Sequence, residues 1–278
     1  LALGGSEFGS DEGAFAMIRA LYTAASGMAA QQTNLDTIAN NLANSATAGF
    51  RHLRLQFEDM VYQNLITPGS PASASTVSAG LQIGLGTRNS ATEVIQTQGD
   101  FNQTANPLDL AIQGSGFFQV QLPNGTTAYT RNGAFHMNNQ GTMVTAEGNQ
   151  LLPAITVPAS ATSVTISPYG VVSATLPGQT TPATLGTIQL ATFANPGGLT
   201  ALGGSLFQQT QASGNAVTDT PGGNSGAGTL EQGYLENSNV DVVAEFVQMI
   251  LAQRAYESNS KVVHVADDMY SQVNGLVR

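Results

Sequence analysis

Three histidines, His52, His136 and His264, are the whole imidazole complement of 278 residues, and there is no cysteine. A zinc or copper centre needs His, Cys or carboxylate ligands at short, regular spacings. None of these histidines has another His or a Cys so placed, and His264 sits among helix-patterned positions in Val263-His-Val-Ala-Asp267. The adjacent carboxylates Glu58-Asp59 and Asp267-Asp268 would suit general acid–base work if one member were desolvated. Neighbours on a helix point about 100° apart, and no apolar pocket is evident around either pair. Gly114-Ser-Gly116 and Gly223-Asn-Ser-Gly-Ala-Gly228 are glycine-rich, but no Gly-Lys-Ser/Thr follows either. The first runs into the apolar Phe117-Phe118 and the second opens no helix, so both read as turns rather than phosphate loops. No Gly-x-Ser-x-Gly nucleophile elbow with a matching His is present. The residues nominate no catalytic, metal-ligating or cofactor-binding side chain, and the expectation is a protein that is not an enzyme and carries no cofactor.

The informative spacing is structural. Ile18, Leu21, Ala25, Met28, Gln32, Leu35, Ala39 and Leu42 alternate steps of three and four, the period of a helix with a coiled-coil-like stripe. A helix from Met17 to Asn44 is about 42 Å long at 1.5 Å per residue. Its other faces carry Ala, Thr, Ser, Asn and Gln, with Arg19 and Asp36 as the charges. A solvated helix face normally carries Lys and Glu, so these faces are expected to be covered as well. Apolar burial against one partner helix falls short of the entropy lost on ordering such a segment, which points to contacts from neighbouring chains. Near the other end, Met249, Ala252, Tyr256, Asn259, Val263, Ala266, Tyr270, Val273 and Val277 repeat the pattern, widened along one flank by Val262, Met269 and Leu276.

Composition agrees with a surface that faces protein. Only 9% of residues are charged while 41% are hydrophobic, and the net charge is -10. Eight Lys and Arg against eighteen Asp and Glu argue against a nucleic-acid or anionic-membrane surface. No run of 18 apolar residues exists, so no membrane insertion is expected. Residues Leu1 to Ala16 lack the basic start and apolar centre of a secretory signal. Met17 reads as the natural start, with 1–16 a tag or upstream extension.

Between the helices the chain is punctuated by turns. Residues 17–66 are expected to hold the first helix and the segment after it, in which Phe50 to Gln63 reads as a strand passing into a short helix. The stretch 67–80, rich in Pro, Ser, Ala and Gly, reads as a flexible linker. In 81–235, Phe117 to Leu122 and Thr127 to Thr130 flank an Asn-Gly signal, Ala134 to Met137 and Thr142 to Thr145 flank Asn138-Asn-Gln-Gly141, and Val164 to Ile166 and Val171 to Thr175 flank Ser167-Pro-Tyr-Gly170. Three hairpins predict an antiparallel β domain, with a further strand over Thr187 to Phe193, and 236–278 holds the second helix. The fold class is α+β: terminal helices pairing as a coiled-coil-like domain, with an antiparallel β-rich domain inserted between them. Gly49 is placed for a left-handed turn after the first helix. Asn40, Asn41 and Asn44 either bond backbone groups where that helix meets the next strand or are plain polar helix positions; the residues leave both open.

Thr37-Ile-Ala-Asn-Asn-Leu-Ala-Asn44 followed by Thr47-Ala-Gly-Phe-Arg51 resembles the N-terminal signature of the flagellar rod and hook family of bacterial axial proteins. Two later blocks resemble the same family in the same order: Gly99-Asp-Phe-Asn-Gln through Gly114-Ser-Gly-Phe-Phe118, and Gly233-Tyr-Leu-Glu-Asn-Ser-Asn-Val240 leading to Gln253-Arg-Ala-Tyr-Glu257. Within the family, Phe57 to Gln63 with Leu81 to Gly86 resembles the distal-rod members, and a hook subunit would need a further outer β domain. The resemblance implies a self-assembling helical tube with the paired helices as inner wall and the β domain outside. It implies self-assembly through Ile18, Leu21, Ala25, Met28, Leu35, Ala39 and Leu42 and through Met249, Ala252, Tyr256, Val263, Ala266, Tyr270 and Val273, with Asn40, Asn41, Asn44, Thr47, Gly49 and Phe50 forming the signature turn. The implied partners are copies of the chain, proximal rod proteins, hook protein, outer ring proteins and the type III export apparatus, in the periplasmic basal body and without a cleaved signal peptide. The alternatives are a proximal rod or short hook-like subunit, and a secreted β-rich adhesin or binding module, which aromatic content of 6% and no Trp weaken.

Overall fold

The computed structural model describes residues 8–66, 71–72, 75–76, 80–179 and 181–276, with the backbone alone for 8–17, 71–72, 75–76, 273–274 and 276. Helix α1 runs Phe8–Ala43 over 36 residues and helix α2 runs Val242–Leu276 over 35, with strands between them. The chain is therefore α+β in the order helix, β-rich middle, helix. Neither helix contains proline, and α1 is rich in alanine, the best helix former. α1 begins before Met17, at Phe8. It ends in a run of tight turns: Ser45 N–H and its hydroxyl both donate to Leu42 O, at 3.2 and 2.8 Å, and Thr47 N–H donates to Asn44 O at 3.1 Å. Gly49 lies at φ +69°, and a Cβ there would stand 2.6 Å from Asn132 N. Only glycine fits this left-handed close approach.

By contacts the chain divides into two units, one of Leu1–Asn41, Leu53–Glu93 and Val242–Arg278, the other of Leu42–His52 and Val94–Asp241. In the first, strand Leu53–Asp59 pairs with Thr87–Val94 and strand Tyr62–Ile66 with Leu81–Gly84. The helix expected to follow the first strand is absent. Met60 N–H instead donates to Gly86 O at 2.9 Å, so the two-residue apolar run Met60-Val61 is a break between paired strands, too short to nucleate a helical turn. Arg19 Nη1 donates to Gln63 Oε1 at 3.0 Å and Thr87 N–H to Ser26 Oγ at 3.3 Å, joining these strands to α1. Most of the expected linker 67–80 lies outside the described residues; within it Pro71–Ala72 pairs with Ser75–Thr76.

The second unit holds the large core. Phe118, Leu110, Ile112, Val120, Phe135, Met143, Leu151, Ile188, Leu190 and Leu230 are buried in one cluster. The three hairpins expected from turn chemistry are present and antiparallel: Phe117–Gln121 with Thr127–Thr130, His136–Met137 with Met143–Val144, and Ser163–Ile166 with Val171–Thr175. Gly125 closes the first, at φ +81° with its N–H on Leu122 O at 2.9 Å. The further strand expected over Thr187 to Phe193 spans Leu190–Thr192 and pairs with both Phe117–Gln121 and Val217–Asp219. Among the described residues these strands belong to a nine-stranded sheet and a three-stranded one.

Candidate assembly interface

The helical unit is dressed in an unusual way. Among the described residues, the α1 side chains that are buried are small or polar apart from Ile38: Ala24, Ala30 and Asn41. Gly27 faces α2 so closely that an added Cβ would lie 2.7 Å from Asn259 Nδ2. Asn41 Nδ2 lies 3.4 Å from Glu245 Oε2. Passing from Gly27 to Asn41 on α1 thus corresponds to passing back from Asn259 to Glu245 on α2, which makes the two helices antiparallel where they touch. Small side chains at the contact let backbones approach; large ones would hold them apart.

Of the α1 stripe, Leu21, Met28, Leu35 and Leu42 are half-buried, while Ile18, Ala25, Gln32 and Ala39 are exposed. Of the α2 stripe, Ala252 and Ala266 are buried, Met249, Asn259 and Val263 half-buried, and Tyr256 and Tyr270 exposed; the Val273 side chain and Val277 lie outside the described residues. The α1 surface turned to α2 is therefore displaced from the stripe of large residues. Tyr22 is 72% exposed and Val243 73%, and Phe246, Val247, Ile250 and Leu251 stand out from α2 beside it. Strand residues of the same unit add Val61, Tyr62 and Leu65. Large apolar surface left open on a soluble protein marks a site of contact with protein, membrane or ligand.

The turn after α1 is built from named polar contacts. Asn41, almost completely buried, donates from Nδ2 to Leu53 O at 2.8 Å and accepts Leu53 N–H on Oδ1 at 2.9 Å, standing in for a paired strand. Asn44 Oδ1 accepts the Thr47 hydroxyl at 3.2 Å. Gly49 N–H donates to Glu236 O at 2.8 Å and Phe50 N–H to Thr47 O at 3.2 Å. Phe50 is half-buried and Asn40 exposed.

Residues that sequence reasoning passed over complete this region. Glu236 is fully buried between two guanidinium groups: Arg51 Nη2 at 2.7 Å from Oε1, and Arg131 Nη2 and Nε both at 3.1 Å from Oε2. Gly99 N–H adds a bond to Oε1 at 3.0 Å. Arg131 Nη1 donates to Gly114 O and Gly116 O at 2.9 and 2.7 Å, so that glycine-rich bend presents carbonyls to a cation and not N–H groups to a phosphate. Burial lowers the Arg131 guanidinium to about 10, with Glu236 opposing and Arg51 reinforcing the shift, so it stays charged at neutral pH. Asn239 accepts His52 N–H at 2.7 Å and donates to Ile95 O and Thr97 O at 3.0 and 2.9 Å. The available signal was scarcity: with eight basic residues in the chain, an arginine set between Thr130 and Asn132 in a β domain had to be paired.

Among the described residues no group of three or more His, Asp or Glu is placed to hold a metal ion, and no helix is long and apolar enough to cross a membrane. Glu58 pairs with Arg88 at 2.9 Å, and Asp267 and Asp268 are exposed.

Comparison with known proteins places this architecture. Residues 21–51 match the family model described as flagella basal body rod protein, 111–174 that of the flagellar hook protein FlgE/F/G D1 domain, and 231–276 that of the flagellar basal body rod FlgEFG protein C-terminal. The flagellar basal-body rod protein FlgG of Caulobacter vibrioides is 49% identical over 261 residues, covering 93% of this chain and 99% of that protein. The protein of the same name from Buchnera aphidicola of Acyrthosiphon pisum is 46% identical over 94% of this chain and 100% of its own length. That of Bacillus subtilis is 39% identical with the same coverage.

Proposed function

The chain belongs to the flagellar basal-body rod family, and from that premise we propose that its copies assemble into the helical tube of the distal rod, the shaft carrying torque from motor to hook. It is a structural rod subunit and not an enzyme. The observation that carries the assembly reading is the dressing of α2, where Ala252 and Ala266 are buried while Phe246, Val247, Ile250 and Leu251 are exposed. A helix that keeps its small residues for its own chain and offers its large ones outward is built to be covered by other copies.

In this reading α1 and α2 pair as a coiled-coil-like element and line the inner wall of the tube. The stripes from Ile18 to Leu42 and from Met249 to Val273 supply intermolecular contacts on the sides their own chain leaves open. Proximal rod proteins, hook protein and outer ring proteins are the expected neighbours in the periplasm, and delivery is by the type III export apparatus without a cleaved signal. A chain lacking cysteine suits passage as an unfolded polypeptide. Helices stabilised only on assembly limit polymerisation before export. Exposed aromatics do not favour a carbohydrate-binding module: among the described residues Tyr22, Phe246, Tyr256 and Tyr270 lie on helices, Phe57 and Tyr62 on strands of the helical unit, and Tyr169 alone is exposed on the β unit.

The test is the double variant Phe246→Glu with Ile250→Glu. Both side chains are exposed, so the dispersed chain keeps its stability within about 0.5 kcal/mol while polymer formation, followed by sedimentation and electron microscopy, is lost. Polymers of normal length from this variant would overturn the assignment of α2 as an assembly face.

A further inference from the structure

Val243, Phe246, Val247 and Ile250 follow one another at the i, i+3, i+4 and i+7 spacing of a helix that seats in a groove, and all four are exposed. At about 100° per residue they lie on the side of α2 opposite the buried Glu245 and Ala252, and Glu245 is the one that reaches Asn41 of α1. From Val242 to Gln253 the one charged residue is that buried Glu245, so the stripe presents no charge. A groove of about 480 Å³ opens elsewhere on the same unit, between α1, α2 and the strand Leu81–Gly84. Ala20, Ala24 and Gly84 keep it wide because they are small, and Arg19, Thr23 and Val262 stand around them. Its charged member, Arg19, turns to Gln63 Oε1 at 3.0 Å. The volume is that of a cleft that encloses a ligand rather than of a packing gap.

The stripe cannot enter the groove of its own chain. Phe246 and Asn259, which also borders the groove, are about 20 Å apart along one continuous helix. We propose that Val243, Phe246, Val247 and Ile250 of one copy seat in the groove formed by Ala20, Ala24 and Gly84 of a second copy. This names the partner of the assembly face and rests on the assembly reading above. A row of large side chains meets a row of small ones, and the stripe brings no charge to be desolvated. Stripe and groove are different patches at different levels of the helical unit, so each copy uses one to reach its neighbour and the other to receive the next. A self-complementary patch stops at a dimer; a head-to-tail contact of this kind continues into a ring or an open helix.

The absence of cysteine makes the contact testable in the full chain. Phe246→Cys is combined with Thr23→Cys, Thr23 being exposed at the groove, and the polymerised chain is treated with a short bismaleimide and separated by denaturing electrophoresis. The expected result is a ladder of covalent trimers and longer species, with no product from either single variant. Covalent dimers alone, or no product from polymers visible by electron microscopy, would overturn the pairing and leave the assembly reading standing. Products from a single variant would set that residue against its own counterpart, and would overturn the pairing equally. Thr23→Trp, which fills the groove from an exposed position, should raise the concentration needed for polymerisation about tenfold while the Tm of the dispersed chain stays within about 2 °C. Unchanged polymerisation of Thr23→Trp would overturn the groove as the receiving surface. Failure of the parent chain to polymerise would overturn both readings.

Discussion

Asn41 and Leu53 exchange two hydrogen bonds, the carboxamide of one pairing with the backbone N–H and C=O of the other at 2.9 and 2.8 Å. The eleven residues between them are thereby closed off by one side chain, and the last full turn of α1 is tied to the first residue of the strand that follows it. Asn41→Asp keeps the shape but cannot donate to Leu53 O, and sets a second carboxylate near Glu245 Oε2. It should cost about 2–3 kcal/mol in thermal or urea unfolding, more than a surface Asn change. A change below about 0.5 kcal/mol would mean that the pairing contributes little.

Glu236 carries the second anchorage. Glu236→Gln leaves Arg51 and Arg131 buried without a carboxylate, and about 3–5 kcal/mol of stability should be lost, read as a lower urea midpoint for the β unit. Replacing the exposed Glu257, 3.4 Å from Arg254, should change stability by less than about 0.5 kcal/mol, because exposed pairs are screened.

Gly27 and Asn259 meet where α1 and α2 touch. Gly27→Ala gains up to about 1 kcal/mol of helix propensity but drives its Cβ to 2.7 Å from the Asn259 amide, so the single variant should be near neutral or destabilising. Adding Asn259→Ala should release the gain, and a double-mutant cycle should give a coupling of about 0.5–1 kcal/mol. Additive effects would show that the two residues do not press on each other.

Asp219 supplies a pH-dependent contact. The Ser225 side chain, then the backbone N–H groups of Thr220 and Ser225, hold its carboxyl below the ordinary value of 3.8. Its contribution is complete above that value and is lost as pH falls through the lowered native one. The protection factor of the Ser225 amide, its intrinsic exchange rate over the observed one at each pH, should therefore fall as pH drops below about 3.8 in the parent chain and stay level with pH in Asp219→Asn.

Much of this was legible in the residues. The hairpins at Asn124-Gly125 and Ser167 to Gly170 follow from local turn chemistry, and the helices from period, because both signals act over a few residues. What pairs with what was not legible. The break at Met60-Val61 depends on Gly86, and Arg51 depends on Glu236, partners far along the chain with no spacing rule linking them. The α1 stripe of Leu21, Met28, Leu35 and Leu42 was visible, but that its own α2 would contact the neighbouring small-residue face could not be read from apolar periodicity. Periodicity counts large residues, and close helix contact selects small ones.

Hydrogen exchange along α1 and α2, compared between dispersed and polymerised chain, tests the central claim most directly. If the large outward residues are covered by other copies, amides of both helices exchange readily in the dispersed chain and become protected by orders of magnitude on assembly, while the β unit is protected in both. Full protection of α1 and α2 in the dispersed chain, unchanged on polymerisation, would mean that the helices are complete within one molecule, and would contradict the account.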